Sequence, residues 1–600
     1  MDTAWSRADS AVLGTITWPA RRATGARWET SAPSGRESRV KDGRATGHER
    51  AVLFAARSQN ALHRLLDTLP VFAGDDRVHR CFTLVPGSAF SLDALSAIDR
   101  AGGRTLPWAE AVEQTFALIL AASPKGDLHA LHGPRVLLPH GAGFNKSVPG
   151  EGTEDSASGL DPAHLLRPDG APLAIRYLFS HPSQIARLAP LSPSVAARST
   201  VVGDPLLERF LESQDRRDRY RVALRTGART LVVLLSTWGP ESLIGRRPGL
   251  PAELAAALPH DEYQLALVLH PNERARRGTL DLAEYLDPAR QAGLILPAVH
   301  EEWASVAVAA DLLITDHGSA ALYPAALDRP LLGAYDGDRE LLPDSPMSAL
   351  LTGVPHLPPH LPGTDTASHL ATAVRAHRPG SSRTLAAPAF AEQGRALDRL
   401  RETLYDLLDL TPPDRPVLPR LLPDPAPAPL APAAFAVRIE YDDQGSPRVL
   451  RHPAHLVPPA PAHHLSAEVG TAHRRFTQSA ALLHRRAGEH PGAWTEPAGE
   501  WTLRTLADHP GGHRTAAVVL SPTHCLLRAR SGPLLSVRLG PGDGAHRAAP
   551  VDPVAVLSAV HAALLAGRGD PGTPLVCSVG PHKVVAHLAP ATAEEAALPV

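Results

Sequence analysis

Residues 310–332 read A-D-L-L-I-T-D-H-G-S-A-A-L-Y-P-A-A-L-D-R-P-L-L. Leu312, Leu313, Ile314 and Thr315 form a short apolar run of the kind buried on both faces of a parallel sheet. The run breaks at Asp316-His317-Gly318-Ser319, an Ala/Leu-rich helical stretch follows, and Arg329-Pro330 ends it before Leu331-Leu332 opens the next strand. A strand, a Gly/Ser turn and a helix start together present free backbone N–H groups and a positive dipole end, which favour an anion. In an open α/β sheet that turn lies at the carboxyl edge of the strands, where ligands bind. The same residues also suit an ordinary strand-to-helix connection, with Gly as turn residue and Ser as N-cap. Pro324 falls about one turn inside the helical stretch, so the helix is expected to start late or bend there.

Six hundred residues exceed a single core, so two or three domains are expected. Charge is nearly balanced, Lys+Arg 60 against Asp+Glu 62. No basic stripe with interleaved aromatics is present, and no nucleic-acid partner is expected. Cys81, Cys525 and Cys577 lie far apart without a CxxC pair, which argues against a disulfide framework or a thiolate zinc site. No apolar run approaches the ~20 residues that span a bilayer, and the first residues lack a basic-then-apolar signal pattern. A cytoplasmic protein is expected, with peripheral association at the inner face of the cell membrane left open.

Residues 1–49 are rich in Arg, Ser, Gly and Thr without apolar periodicity, and read as a disordered extension. From residue 50 strands alternate with helices: strands at 51–56, 80–85, 135–138 and 175–180, with helices at 61–69 and 92–101. This pattern predicts a doubly wound parallel sheet over 50–200. A Gly/Asp/Ser/Pro-rich loop at 147–172 is long enough to be a functional segment. A second Rossmann-like half is expected over 201–410, with strands at 230–236, 263–269, 294–297 and 312–315. Its closing helix, 389–410, is long enough to pack back across the first half. Residues 411–434 form a Pro/Ala linker, and 435–600 read as a small α+β domain with no motif tied to chemistry. The pair His129 and His132 and the pair His463-His464, the latter in a Pro/Ala loop, are assigned no role.

Two Rossmann-like halves with ligand turns at facing sheet edges describe a GT-B-like architecture. Four turns are candidates: His140-Gly141-x-Gly143-x-x-Lys146, Gly203-Asp204-Pro205, His270-Pro271-Asn272, and Asp316-His317-Gly318-Ser319. In order and placement the set resembles the CDP-glycerol glycerophosphotransferase family, the teichoic-acid polymerases and primases. That family carries an H-G-T-P-x-K turn, a G-x-P-R-N/D turn, an H-P turn, and a D-Y-S-S turn continuing to N-K-P. Asp328-Arg329-Pro330 stands at the offset of the last motif, and the resemblance covers roughly residues 50–410.

The resemblance implies that an acceptor hydroxyl attacks the β-phosphorus of a CDP-linked alditol and CMP leaves, with no metal and no cofactor beyond the donor. His140 would be the base, with Lys146 beside it. His270, Asp316, His317, Gly318 and Ser319, together with Gly203 and Asp204, would hold the donor and its diphosphate. The partners implied are a nucleotide-activated small molecule and a polymer or lipid-linked acceptor in cell-wall synthesis. Departures are visible: Lys146 stands one residue farther from His140 than in the family, Tyr323-Pro324 replaces an acidic residue and an aromatic, and Leu206-Leu207 replaces Arg-Asn/Asp. A nucleotide-sugar glycosyltransferase or epimerase on the same scaffold is one alternative. A catalytically silent GT-B-derived binding protein is the other.

Overall fold

The computed structural model describes residues 50–87, 98–99, 101–139, 141–147, 157–298, 302–335, 339–361, 363–488, 495–511, 513–542 and 551–600. The extension 1–49 and most of the helix expected at 92–101 lie outside the described residues.

The first sheet contains β1 (Arg50–Ala56), β2 (Val78–Leu84), β3 (Arg104–Thr105), β4 (Leu118–Ala121), β5 (Arg135–Leu137), β6 (Arg176–Phe179) and β7 (Ser199–Val201). They run parallel in the order β3-β2-β1-β4-β5-β6-β7. Val52, Leu53 and Phe54 of β1 are fully buried, as a central strand covered on both faces requires. Ser58 caps the helix Gln59–Asp67 by accepting the N–H of Ala61. That helix turns Leu62, Leu65 and Leu66 into the core. The helix Ala396–Leu408 does return across this lobe: Leu397, Leu400, Leu404 and Leu408 share one core with Phe54 and Leu62. Tyr405 Oη also donates to Asp75 at 2.9 Å.

The second sheet contains β8 (Thr230–Ser236), β9 (Tyr263–Leu269), β10 (Leu312–Thr315) and β11 (Leu331–Gly333), parallel in the order β11-β10-β8-β9. Winding reverses between β8 and β10, so the loops leaving their carboxyl ends part there and open a crevice. Residues 294–297, expected as a strand, contribute only a bridge from Ile295 to Ala266. Beyond β10 the chain makes a 3-10 turn, Ser319–Ala321, and then the short helix Leu322–Ala326. Pro324 sits in the first turn of that late-starting helix, where a missing N–H leaves no intrahelical bond unmade.

Residues 411–433 carry no helix or strand, yet they are not a free spacer. Arg77 donates to the Thr411 carbonyl at 2.7 Å, Arg209 to Arg420 at 2.9 Å and Tyr220 Oη to Leu422 at 2.8 Å. Leu422 is 1% exposed within the core of the second lobe.

The C-terminal region corrects the expectation of a small α+β domain. It is a closed barrel of β12 (Ala434–Tyr441), β13 (Pro447–Pro453), β14 (His464–Glu468), β15 (Leu482–Arg486), β16 (Thr515–Ser521), β17 (His524–Ala529), β18 (Leu534–Pro541), β19 (Leu575–Val579) and β20 (His582–Pro590). The helix Pro553–Leu565 is buried at ten of its thirteen residues and packs into one core with every strand but β14. A helix apolar on all sides needs such an enclosure. Closure depends on β12 pairing β14 and β13 pairing β19, contacts that no local pattern encodes. The barrel is docked on the second lobe: Arg451 binds Asp261 at 2.6 and 2.7 Å, and Arg448 meets Glu262 at 2.6 Å. Among the described residues no helix is long and apolar enough to cross a membrane.

Candidate functional site

The carboxyl edges of the two sheets border a cavity of about 220 Å³. Pro139, Gly141 and Lys146, following β5, line one side. Trp238 after β8, His270 after β9, and Asp316, His317, Gly318 and Ser319 after β10 line the other. His140 lies outside the described residues, but both of its neighbours stand in the cavity wall. An ideal Cβ on Gly141 would stand 3.2 Å from Ser319 Oγ, so the two turns meet across the gap. Only a residue without a side chain permits that approach with room to spare.

Asp316 is fully buried and works as a tie between the loops of the crevice. Its Oδ2 accepts the N–H of Thr237 at 2.8 Å and of Leu243 at 2.7 Å, and its Oδ1 accepts the N–H of Gly318 at 2.9 Å. Burial pushes its pKa up, against the opposing pull of His317 and these N–H donors. The carboxylate therefore shapes the turn, and the Gly318 N–H expected to face a diphosphate is already taken. With only a 3-10 turn and a five-residue helix behind Ser319, the dipole is small as well.

His317 is 1% exposed. Its Nδ1 lies 3.1 Å from Tyr335 Oη and its Nε2 lies 3.2 Å from Glu340 Oε2. The same carboxylate oxygen receives Lys146 Nζ at 2.5 Å. Lys146 also donates to the Trp238 carbonyl at 3.3 Å and stands 4.4 Å from the centroid of the indole. Further bonds join the loop 141–147 to the second lobe: Leu342 N–H to Asn145 O at 3.0 Å, Ser147 N–H to Glu340 O at 2.9 Å, and Met347 N–H to Asn145 Oδ1 at 3.1 Å.

His270 caps the helix Pro271–Arg277, its Nδ1 accepting the N–H of Asn272 at 3.1 Å. In the neutral ring the proton consequently sits on Nε2, which is then a donor. The Trp238 ring lies 6.4 Å from the imidazole, centroid to centroid.

Gly203 and Asp204 do not line the cavity, which corrects their assignment to the donor. Asp204 caps the helix Pro205–Ser213 through Leu206 and Leu207, binds Arg64 at 3.0 Å and accepts from Tyr323 Oη at 2.9 Å. Gly203 has φ +82°, and a Cβ there would stand 2.8 Å from that of Ala396, so it is a packing glycine. Sequence reasoning missed the stripe Asn60, His63, Arg64 and Asp67, all in the cavity wall. Their i, i+3, i+4, i+7 spacing marks one face of the helix Gln59–Asp67, opposite the leucines, and that polar face was the available signal. His464, set aside as incidental, opens β14 with its ring 4.7 Å from that of His561. Among the described residues no group of three or more His, Cys, Asp or Glu is arranged to hold a metal ion.

No family model matches the chain, and no curated protein matches it. Solved structures resemble it at low identity. The wall teichoic acid polymerase TagF aligns at 11% identity over 60% of this chain and 89% of its own, with a TM-score of 0.40. The MnaA–UDP structure from S. aureus aligns at 10% identity, covering 61% of this chain and 99% of its own at 0.39. The UDP-GlcNAc 2-epimerase from Neisseria meningitidis, bound to UDP-GlcNAc, aligns at 12% identity, covering 59% and 100% at 0.42.

Proposed function

We propose that the cleft takes a nucleotide-activated small molecule and transfers a phosphoalditol of the glycerol-phosphate type from a CDP-linked donor to an acceptor hydroxyl. The acceptor in this reading is a polymer or lipid-linked chain in the synthesis of an anionic cell-wall polymer, met at the membrane face. The observation that carries the reading is the meeting of the Gly141 turn with Ser319, with Lys146 and His270 lining the same cavity from its two sides. The acceptor oxygen would bond to the β-phosphorus, and the bond from that phosphorus to the bridging oxygen would break, so that CMP leaves. His140 would receive the hydroxyl proton. Lys146, His270 Nε2–H and the Ser319 hydroxyl would face the charge that develops on the phosphate oxygens.

Thermal-shift titration tests the donor: CDP-glycerol and CMP should raise the melting temperature, because a ligand that binds only the folded state stabilises it. His140→Ala should abolish CMP release without lowering the melting temperature of the free protein. Unchanged turnover would remove that histidine from the step. Stabilisation by UDP-sugars and not by CDP-glycerol or CMP would transfer the reading to a nucleotide-sugar enzyme. A silent binding protein is the second reading, favoured by one specific observation. Three cations in the cavity wall are each already paired with a carboxylate: Lys146 with Glu340, Arg64 with Asp204, and Arg209 with Asp67. In that case nucleotides stabilise the fold and no CMP is released.

A further inference from the structure

The three ion pairs at the cavity wall are not equivalent. Arg209 meets Asp67 at 2.7 Å with both side chains almost fully buried, and it also donates to the carbonyls of Arg420 and Leu421. Arg64 binds Asp204 at 3.0 Å and also donates to Tyr323 Oη, which itself donates to Asp204. Both guanidiniums are locked into closed networks that tie helices together. Lys146 is held differently. Among the described residues its one carboxylate partner is Glu340, at 2.5 Å, with the two side chains 12% and 5% exposed, and the Trp238 carbonyl and indole face are its other contacts.

The partners of that pair come from opposite lobes: Lys146 from the loop after β5, Glu340 from the loop after β11. Glu340 does not depend on Lys146 for support, because its Oε2 also faces His317 Nε2 at 3.2 Å. Burial alone would raise the Glu340 pKa, but the bonds from His317 and Lys146 hold it below the ordinary carboxylate value, so it is anionic at neutral pH. The ammonium is a compact charge with rotatable donors on a flexible stem, which can change partners without rebuilding a fork geometry.

We propose that Glu340 is a specificity-determining residue, a built-in counter-ion occupying the place on Lys146 that an incoming phosphate takes, so that the cleft selects a diphosphate over a singly charged anion. This rests on reading the cleft as a phosphate site. A monoanion would exchange one carboxylate for another and gain little. A diphosphate brings more charge and more acceptor oxygens than the group it displaces, and discrimination follows from the difference. Glu340, once displaced, retains His317.

Calorimetric titration with inorganic pyrophosphate and with acetate tests the inference on the full chain. Glu340→Gln should bind pyrophosphate about tenfold tighter than the parent and should begin to bind acetate as well. Adding Lys146→Met should remove both gains. An unchanged or weaker affinity in Glu340→Gln, a gain that survives in the double variant, or pyrophosphate binding to none of these proteins would each overturn the inference. Glu340→Asp, which draws the carboxylate back by one methylene, should shift affinity in the same direction; it decides the matter if the Gln variant does not fold, and no shift would again refute it. None of these measurements involves CMP release. A chain that never turns over CDP-glycerol can still pass this test, and a chain that does can fail it.

Discussion

The cleft and the barrel both bury charged side chains, and they use them in opposite ways. At the cleft, Lys146 in the cavity wall is joined to Glu340 by one bond across two lobes. At the barrel, Arg451 is 1% exposed, binds Asp261 and Asp552 together, and stands 4.3 Å from the centroid of the Phe435 ring. Asp552 then reaches Arg486 at 2.9 Å. A charge shared between two carboxylates and packed on a ring is part of the framework. A charge with a single carboxylate partner, on a flexible stem in a cavity wall, can be handed to a ligand. The difference lies in what surrounds the pair, since the distances themselves are similar.

The contrast can be broken most severely at the barrel. Arg451→Ala should cost ~3–5 kcal/mol of stability, the range for removing one member of a buried ion pair, read as a lower midpoint in urea. Nucleotide binding by the protein that remains folded should not change. An effect smaller per residue separates the two regions by pH. Burial holds His484 and His464 down to about 3 and His561 and His260 down to about 4, so all four are neutral when folded near pH 5. The unfolded chain binds protons at these positions below ~6.5 and the folded protein does not, so stability is present above that pH and is lost as pH falls toward about 4 for His561 and His260 and about 3 for His484 and His464. Each histidine should remove up to ~2 kcal/mol between pH 7 and pH 5, and a flat stability profile over that span would refute the burial of these rings. The smallest effect belongs to the cleft. Ser319→Ala should leave unfolding free energy within ~0.5 kcal/mol of the parent while weakening nucleotide binding in a thermal-shift titration. A loss of stability without a loss of binding would make Ser319 part of the framework instead.

The two regions also differ in how far the sequence disclosed them. The crevice was legible because β10, its turn and Pro324 are contiguous, and the pattern of buried strand, Gly/Ser turn and late helix is local. The role of Asp316 as a tie was not, because Thr237 and Leu243 lie more than seventy positions earlier. Glu340 was invisible for the same reason, 194 positions from Lys146, in a stretch without a motif. Asn60, His63, Arg64 and Asp67 were within reach: a helix was expected at 61–69, and the face opposite its leucines was left unread. In the barrel, Phe435, Val437 and Ile439 alternate as an inward strand face should. The helix Pro553–Leu565, apolar but for Ser558 and His561, was read as part of an α+β domain, because the strands that enclose it are fixed by pairings far apart in the chain.

The return of the helix Ala396–Leu408 to the first lobe bears on how the protein is made. The last strand of that lobe ends at Val201, whereas the helix that covers Phe54 and Leu62 ends at Leu408. At a ribosomal pace of ~5–20 residues per second, the nascent sheet waits roughly ten to forty seconds with an apolar flank uncovered. The second lobe must be synthesised before the first can be finished, so the two mature as one translational unit, and truncation before residue 396 leaves an aggregation-prone remnant.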